Sequence, residues 1–465
     1  MSSATAAPFP LTSDRPRVVI LGGGFGGLSA AMRLRRTHMD VVLVDRRNHH
    51  LFQPLLYQVA TAALNPGDVA VPFRNLFKPK DRVSLFLDEA VRVDRSTQHV
   101  HLKENGPLHY DWLIVATGNQ PSYFGHDEWA EHAPGLKTIP DALNIRENLL
   151  LSFERAAIAK NPAERRKALT HVVIGGGPTG VEMAGTIAEI GNRTFRKDYP
   201  SLRNERLHVY LVEGADRVLL PYDPSLSQRA KEDLEELGVT VLLNTFVKEI
   251  NEQGVQAGDN WIEAGNVIWG AGNAASSVVD SLAVETNGAG QAKVKPDLSL
   301  PDDPRVFVLG DAAEALGADG KPLPGVAQVA LQQGDYIARN ILKYGDDPQR
   351  PPFHYKDLGI MATIGRAKAV VQIGEKIKMG GFIAWVLWAV VHLWKIVTFR
   401  RRVKVFAEWI WLYLTFSPGT RLIYWRPGQR RTSVEALRAD DKGQPEDAKT
   451  EAPPEAPPEE TKEMA

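Results

Sequence analysis

Two glycine clusters, each opening a stretch of helix-forming residues and each followed by an acid, are the residues here best suited to chemistry. In the first, Gly22, Gly24 and Gly27 stand in GGGFGG, with Phe25 and Gly26 inside it, and Asp45 follows after roughly twenty positions. Such glycines supply a tight turn, a close approach of backbone to phosphate and close packing of helix on strand. The unpaired N–H groups at the helix start and the helix dipole favour an anion such as a pyrophosphate, and the acid accepts hydrogen bonds from a ribose. The second cluster, GGGPTG, contains Gly175, Gly177, Pro178, Thr179 and Gly180, with Glu182 early in the following helix and Glu213 as the acid. Glu213 comes later than its counterpart because residues 192–206 add a polar, basic insertion. Two copies of strand, turn, helix, strand and acid predict two dinucleotide sites.

The elements that must position these residues can be read around them. An apolar β-branched strand from Arg17 precedes the first turn, and a second ends on Asp45. Residues 46–56, RRNHHLFQPLL, fit neither period and are too aromatic for a solvated loop, so they are expected to fold over a bound cofactor. Strand-like runs follow at 83–87, 99–102 and 112–115, the last closing on Ala116, Thr117 and Gly118, small residues that let backbone approach a ligand. Residues 142–160 read as a helix. The second unit predicts strands at 171–174 and 207–212 around a helix at 181–190. Later strands at 239–243 and 266–269 lead to Gly270, Ala271 and Gly272.

A strand at 306–309 delivers Gly310 and Asp311 to the ligand-binding edge of an open α/β sheet, where the carboxylate can bond a ribityl hydroxyl. A helix starting near Gly325 carries Ala327, Gln328 and Gln332. The two glutamines stand four apart on one face, and their apolar neighbours bury at least one of them, which then needs a partner.

Composition narrows the chemistry. The chain has 465 residues, a formal net charge of −1 and no cysteine. The charge argues against nucleic acid as the main partner. The lack of cysteine removes disulfides, iron–sulfur ligation, thiolate-bound metal and thiol relays, so redox chemistry must pass through an organic cofactor; no metal site is expected. Residues 1–16 show no signal-peptide pattern and read as a disordered leader of a cytoplasmic protein. Residues 381–399 hold an apolar run broken by His392 and Lys395, too short and too charged to span a bilayer. Arg400, Arg401, Arg402 and Lys404 follow, and Trp385, Trp388, Trp394, Trp409, Trp411 and Trp425 cluster here. Clustered tryptophan, adjacent cations and two amphipathic segments describe helices lying in the headgroup layer of a membrane. Residues 426–465 read as a disordered acidic tail.

The two glycine motifs, together with HLFQPLLYQVAT, the Gly310-Asp311 pair, AQVALQQG and the Trp-rich basic C-terminal region, closely resemble the type II (alternative) NADH:quinone oxidoreductases. The resemblance implies an α/β fold of two Rossmann-like dinucleotide-binding domains plus a C-terminal amphipathic-helical membrane-anchoring region. It implies a non-pumping flavoenzyme, a homodimer on the cytoplasmic face of the membrane, that passes a hydride from NADH to FAD and electrons onward to ubiquinone or menaquinone. FAD is then expected on residues 17–160 and 286–350, NADH on 161–285 and the membrane on 351–425. The FAD-side contacts implied are Gly22, Gly24, Phe25, Gly26, Gly27, Asp45, Gln53, Pro54, Ala116, Thr117, Gly118, Gly310, Asp311, Ala327 and Gln328. The NADH-side contacts implied are Gly175, Gly177, Pro178, Thr179, Gly180, Glu182 and Glu213, and Gly272 is implied as a cofactor contact on a flavin-side segment that departs from the family pattern at Trp269 and Asn273. Glu182 is assigned to the nicotinamide–flavin contact, and Gln328 and Gln332 to the quinone oxygens and the flavin edge.

The ribose-binding carboxylate of Glu213 would repel a 2′-phosphate, and Gly214 and Ala215 bring no arginine, so NADH is expected over NADPH. Sulfide:quinone oxidoreductases and disulfide reductases share the architecture but depend on cysteine. A soluble flavin reductase for a protein or O2, and a membrane-attached flavin/NADH sensor, are the competing functions. The first has no use for the Trp-rich segment.

Overall fold

A computed structural model describes residues 14–191, 196–347, 349–415 and 421–423. The expected leader up to residue 13, Trp425 and the acidic tail lie outside the described residues, as does part of the 192–206 insertion.

The first apolar strand, Arg17–Leu21, sits at the centre of a five-stranded parallel sheet. Its neighbours are Asp40–Asp45 and then Val83–Leu87 on one side, and Trp112–Val115 and then Val306–Val308 on the other. The central strands are apolar on both faces because both are covered, the usual condition of a parallel sheet. Helix α1, Phe25–Leu34, follows the glycine turn. Residues 46–56 are more ordered than their pattern suggests: His49–Leu51 pairs antiparallel with Ala70–Pro72, and Gln53–Leu55 forms a 3-10 turn leading into helix α2, Leu56–Ala60.

The second unit repeats the plan in a four-stranded parallel sheet of order Val239–Leu242, His208–Val212, Thr170–Ile174, Asn266–Trp269. Its helix, α3, spans Pro178–Ile190 and so begins three residues earlier than the apolar pattern indicated. Proline at the first helical position is the reason: its fixed φ suits the helix start and its missing N–H would be unpaired there anyway. An antiparallel ribbon of Asn119–Pro121 and Asn273–Ala275 joins the two units. Chain from the second unit returns to complete the first sheet and then forms helix α4, Ala327–Tyr344, which packs along α1.

Beyond it lie a three-stranded antiparallel sheet of Ile360–Thr363, Ala369–Ile373 and Ile377–Gly380, then helices α5, Phe382–Lys395, and α6, Phe399–Thr415. No described helix is long and apolar enough to cross a membrane. The tryptophans, grouped by sequence into one interfacial cluster, divide between two faces. Trp388 and Trp409 stack against each other in the core beside Ala384, Ile396 and Val405, whereas Trp394 and Trp411 are exposed. Burying a side chain of that size contributes about 3 kcal/mol, so packing takes part of the cluster before any lipid can. The outer face still carries Phe382, Ile383, Val390, Phe399, Val403, Phe406, Ile410 and Leu414, all exposed.

The cations of this region are likewise partly spent inside the molecule. Arg401 donates to the Gly67 carbonyl, Arg402 donates to that of Ile396 and lies over the Trp394 ring, and Lys404 pairs with the fully buried Asp68 at 2.7 Å.

Candidate functional site

The two glycine turns are built alike. Gly22 has φ +95°, and a Cβ there would lie 2.4 Å from the Ala116 carbonyl oxygen; Gly175 has φ +101°, and its Cβ would lie 2.7 Å from the Gly270 carbonyl carbon. Neither position tolerates a side chain. Gly27 and Gly180 sit so close to the carbonyls of Gly22 and Gly175 that a Cβ would overlap them. Gly24 and Gly177, the N-caps of α1 and α3, have open space where a side chain would go, which leaves bare backbone facing outward at the positive end of each helix.

Both acids brace their turns. Asp45 accepts from the Gly23 N–H at 2.6 Å and the Arg47 N–H at 2.7 Å. Glu213 accepts from the Gly176 N–H and, at 2.8 Å, the Ala215 N–H. Each carboxylate is thereby fixed at the end of its strand, with lone pairs left over for a ligand hydroxyl. Phe246, which the sequence reading passed over, stands at the mouth of the second turn: a Cβ on Gly214 would lie 2.7 Å from its ring, yet the side chain is 71% exposed. A lone phenylalanine after a strand gave no signal of this, because its neighbour Gly214 is more than thirty residues away.

On the first sheet, Gly310 and Asp311 form a 3-10 turn against α4. Gln333, buried and also unforeseen, accepts from the Gly310 N–H at 2.7 Å. Asn119 bridges Asp311 to Lys137: its amide donates to Asp311 at 2.9 Å and accepts from Lys137 at 2.7 Å. Burial raises the Asp311 pKa and lowers that of Lys137, and each charge opposes the shift of the other. Thr117 accepts from Ser276 at 2.7 Å, and Gly118, with φ +68°, leads to the joining ribbon. Gln53 is exposed and Pro54 half-buried on the turn before α2. Gly270, and not Gly272, abuts Gly175; Gly272 lies further on, beside the Ser122 carbonyl and the Phe124 ring.

The paired glutamines do share a face of α4, and there they fasten the chain that follows. Gln328 donates to the Gly359 carbonyl at 2.8 Å. Gln332 both donates to the Lys356 carbonyl, at 2.9 Å, and accepts from the Lys356 N–H, at 3.0 Å. Gln332 is thus held by backbone on both ends of its amide, while the oxygen of Gln328 keeps its acceptor capacity.

Glu182, in the first turns of α3, is half-buried beside Tyr57, Tyr222 and Thr363. Burial pushes its pKa up to about 8, against a backbone hydrogen bond from Thr363 that favours the carboxylate. Next to it, Tyr57 bonds the Thr363 hydroxyl at 3.0 Å. Behind Tyr57 and Thr363 opens a cavity of about 100 Å³ whose walls include Thr186, Trp385, Trp388 and Trp409. Trp388 is 2% exposed, and its indole N–H has no acceptor among the described residues. A buried donor left so is costly. No group of metal-ligating side chains occurs among the described residues.

Comparison with known proteins gives the family. Residues 16–334 match the model of the pyridine nucleotide-disulphide oxidoreductase family, and residues 358–415 that of the NDH2 C-terminal domain. The chain is 40% identical over 438 residues to a type II NADH:quinone oxidoreductase of Mycobacterium tuberculosis, covering 91% of this chain and 93% of that protein. It is 30% identical over 416 residues to a demethylphylloquinone reductase of Synechocystis, covering 86% and 97%. In fold it is similar to a structure of NDH2 from Plasmodium falciparum in complex with NADH, with a TM-score of 0.80 at 21% identity, covering 88% of this chain and 100% of that one.

Proposed function

The chain belongs to the pyridine nucleotide-disulphide oxidoreductase family as a type II NADH:quinone oxidoreductase, and from that premise we propose how its residues divide the work. The first glycine turn holds FAD and the second receives NADH. Bound FAD supplies a ring that takes two electrons from NADH and passes them to a quinone.

The first cradle suits a large resident cofactor. Gly22 gives the close approach, Gly24 leaves backbone N–H groups open to the pyrophosphate, and Asp45 orients the adenosine ribose. Asp311, braced by Asn119, meets the ribityl chain, and α4 starts nearby at Ala327 with unpaired N–H groups that favour negative charge on the ring. At the second cradle Glu213 accepts from the NADH ribose and turns away a 2′-phosphate, and Phe246 offers its ring to the adenine. Glu182 borders the place where nicotinamide and flavin meet. Held protonated near neutrality by burial, it can give or take a proton as the ring charge changes.

The observation that carries the quinone assignment is the aromatic cavity behind Tyr57 and Thr363, lined by Trp385, Trp388 and Trp409. Aromatic walls suit a planar quinone ring, and the cavity is walled in part by α5 and α6, whose other faces are apolar and exposed. Those faces rest on the membrane surface, where the Lys and Arg side chains left to solvent meet anionic headgroups.

The test uses the full-length, FAD-loaded enzyme with Phe399→Glu, Val403→Glu and Phe406→Glu combined. All three side chains point to solvent, so folding is retained. The variant is expected to lose flotation with anionic vesicles and turnover of a long-chain quinone in those vesicles, while reducing a short water-soluble quinone at the parent rate. Undiminished flotation or unchanged long-chain turnover overturns the membrane assignment.

A further inference from the structure

Helix α6 and the Glu182 neighbourhood are joined by one continuous line of buried hydrogen bonds. The Trp409 indole donates to the side-chain oxygen of Gln58 at 2.8 Å, and the Gln58 amide donates to the Tyr57 hydroxyl at 2.9 Å. The Tyr57 hydroxyl lies 3.0 Å from that of Thr363, whose backbone bonds the Glu182 carboxyl. We propose that Trp409, Gln58, Tyr57 and Thr363 form a positioning relay, pivoting on Gln58, through which the seating of α6 on the body of the enzyme sets the environment of Glu182. This rests on the assignment of Glu182 to the nicotinamide–flavin contact.

The chemistry of the groups fixes the direction of the line. An indole can only donate, so Gln58 must present its oxygen to Trp409 and its nitrogen to Tyr57. Tyr57, having accepted from Gln58, still has its own proton available for the Thr363 hydroxyl. Its hydroxyl keeps that proton at any working pH, since burial raises the Tyr57 pKa well above the ordinary value. All four side chains are buried, so water cannot replace a missing member cheaply.

The same helix is strapped down a second time near its start, by Lys404 on Asp68 and Arg401 on the Gly67 carbonyl. Its outer residues Val403, Phe406 and Ile410 face away from these contacts and are exposed. Whatever α6 rests on therefore bears on one side of it, and α2 bears on the other. The titratable groups that face Glu182 are Tyr57 on α2 and Tyr222 ahead of the helix Pro224–Glu236, both neutral. Among the described residues, no cation contributes with the Thr363 bond to holding the carboxylate.

The experiment follows flavin reduction by NADH, without quinone, as a function of pH in the full-length FAD-loaded enzyme on vesicles. Trp409→Phe, Gln58→Met and Thr363→Val each cut one joint and keep much of the side-chain volume, and Glu182→Gln removes the end point. Loosening Thr363 weakens the bond that favours the carboxylate, so the apparent pKa of the Glu182 limb is expected to rise by about half a unit to one unit in each relay variant, the equivalent of one ordinary hydrogen bond. The Trp409→Phe/Gln58→Met double variant should move it no further than Gln58→Met alone.

Lower melting temperatures with an unmoved limb would show that the line serves stability only and overturn the relay. Should the limb survive in Glu182→Gln, the Glu182 assignment itself falls, and the relay with it. If it vanishes there but stays put in the other three, the relay alone is wrong.

Discussion

The two nucleotide cradles are the same device in different surroundings. In the first, the opening residues of α1 are roofed: Phe25 is half-buried and in edge contact with His50 and Phe52, and Gly26 is buried under Leu309 and Ala330. Gly334 of α4 approaches so closely that a Cβ there would lie 2.1 Å from the Gly26 carbonyl oxygen. His50, neutral because burial lowers its pKa, donates to the Gly23 carbonyl at 3.0 Å. In the second, Pro178 and Thr179 occupy the positions of Phe25 and Gly26 and are exposed, and Phe246 stands open beside Gly214. One cradle is closed by its own tertiary neighbours and the other is left open. On the assignment proposed above, that difference separates a kept cofactor from an exchanged co-substrate.

Breaking the roof should have the largest effect. Gly334→Val forces α4 off α1 at the point of closest approach, and the purified protein is expected to retain less than about a tenth of its FAD, read from flavin absorbance; an overpacked contact of this kind costs about 1–3 kcal/mol or more. Gly177→Val, where no neighbour crowds the Cβ, should leave FAD content at the parent level and impair NADH binding instead.

Next in size is the strap on α6. Lys404→Met leaves the buried Asp68 carboxylate without its cation, and a drop of about 2–3 kcal/mol in unfolding free energy is expected, less than for a wholly buried pair because the lysine is half exposed. Asp68→Asn in the same protein should restore most of it in a denaturant titration.

At the open cradle, Glu213→Gln should lower the preference in kcat/KM for NADH over NADPH by about ten-fold, the scale of one charge-assisted hydrogen bond. Equal kcat/KM for the two cofactors in the parent enzyme would remove the basis of that expectation. The smallest change is expected from Phe246→Ala: a rise of about five-fold or more in the KM for NADH with kcat retained, the loss of a single stacking contact.

Much of this was legible along the chain because it is local. A φ-positive glycine, a helix start and an acid at the end of the next strand are set within about fifty residues, and their spacing is dictated by strand rise and helix period. Hence Gly22, Gly27, Asp45, Gly175, Gly180 and Glu213 all stand where their spacing placed them. Gln328 and Gln332 mark the boundary of that method. Helix period put them on one face, but only the fold showed that the face meets the backbone of residues 356–359. That Gly270 is the glycine abutting Gly175 was likewise not legible, since it depends on how the strand leaves the sheet.

By itself, then, the sequence determined two nucleotide-binding units, a redox route that avoids thiols, and an amphipathic C-terminal region. Only the tertiary structure decided which faces of α5 and α6 turn inward, since a helix with tryptophan all around it has no unique apolar side. Tertiary packing likewise brought Trp409 to Gln58 and Lys404 to Asp68, partners separated by hundreds of residues. Such contacts obey no period, because each is made by packing after the local elements exist.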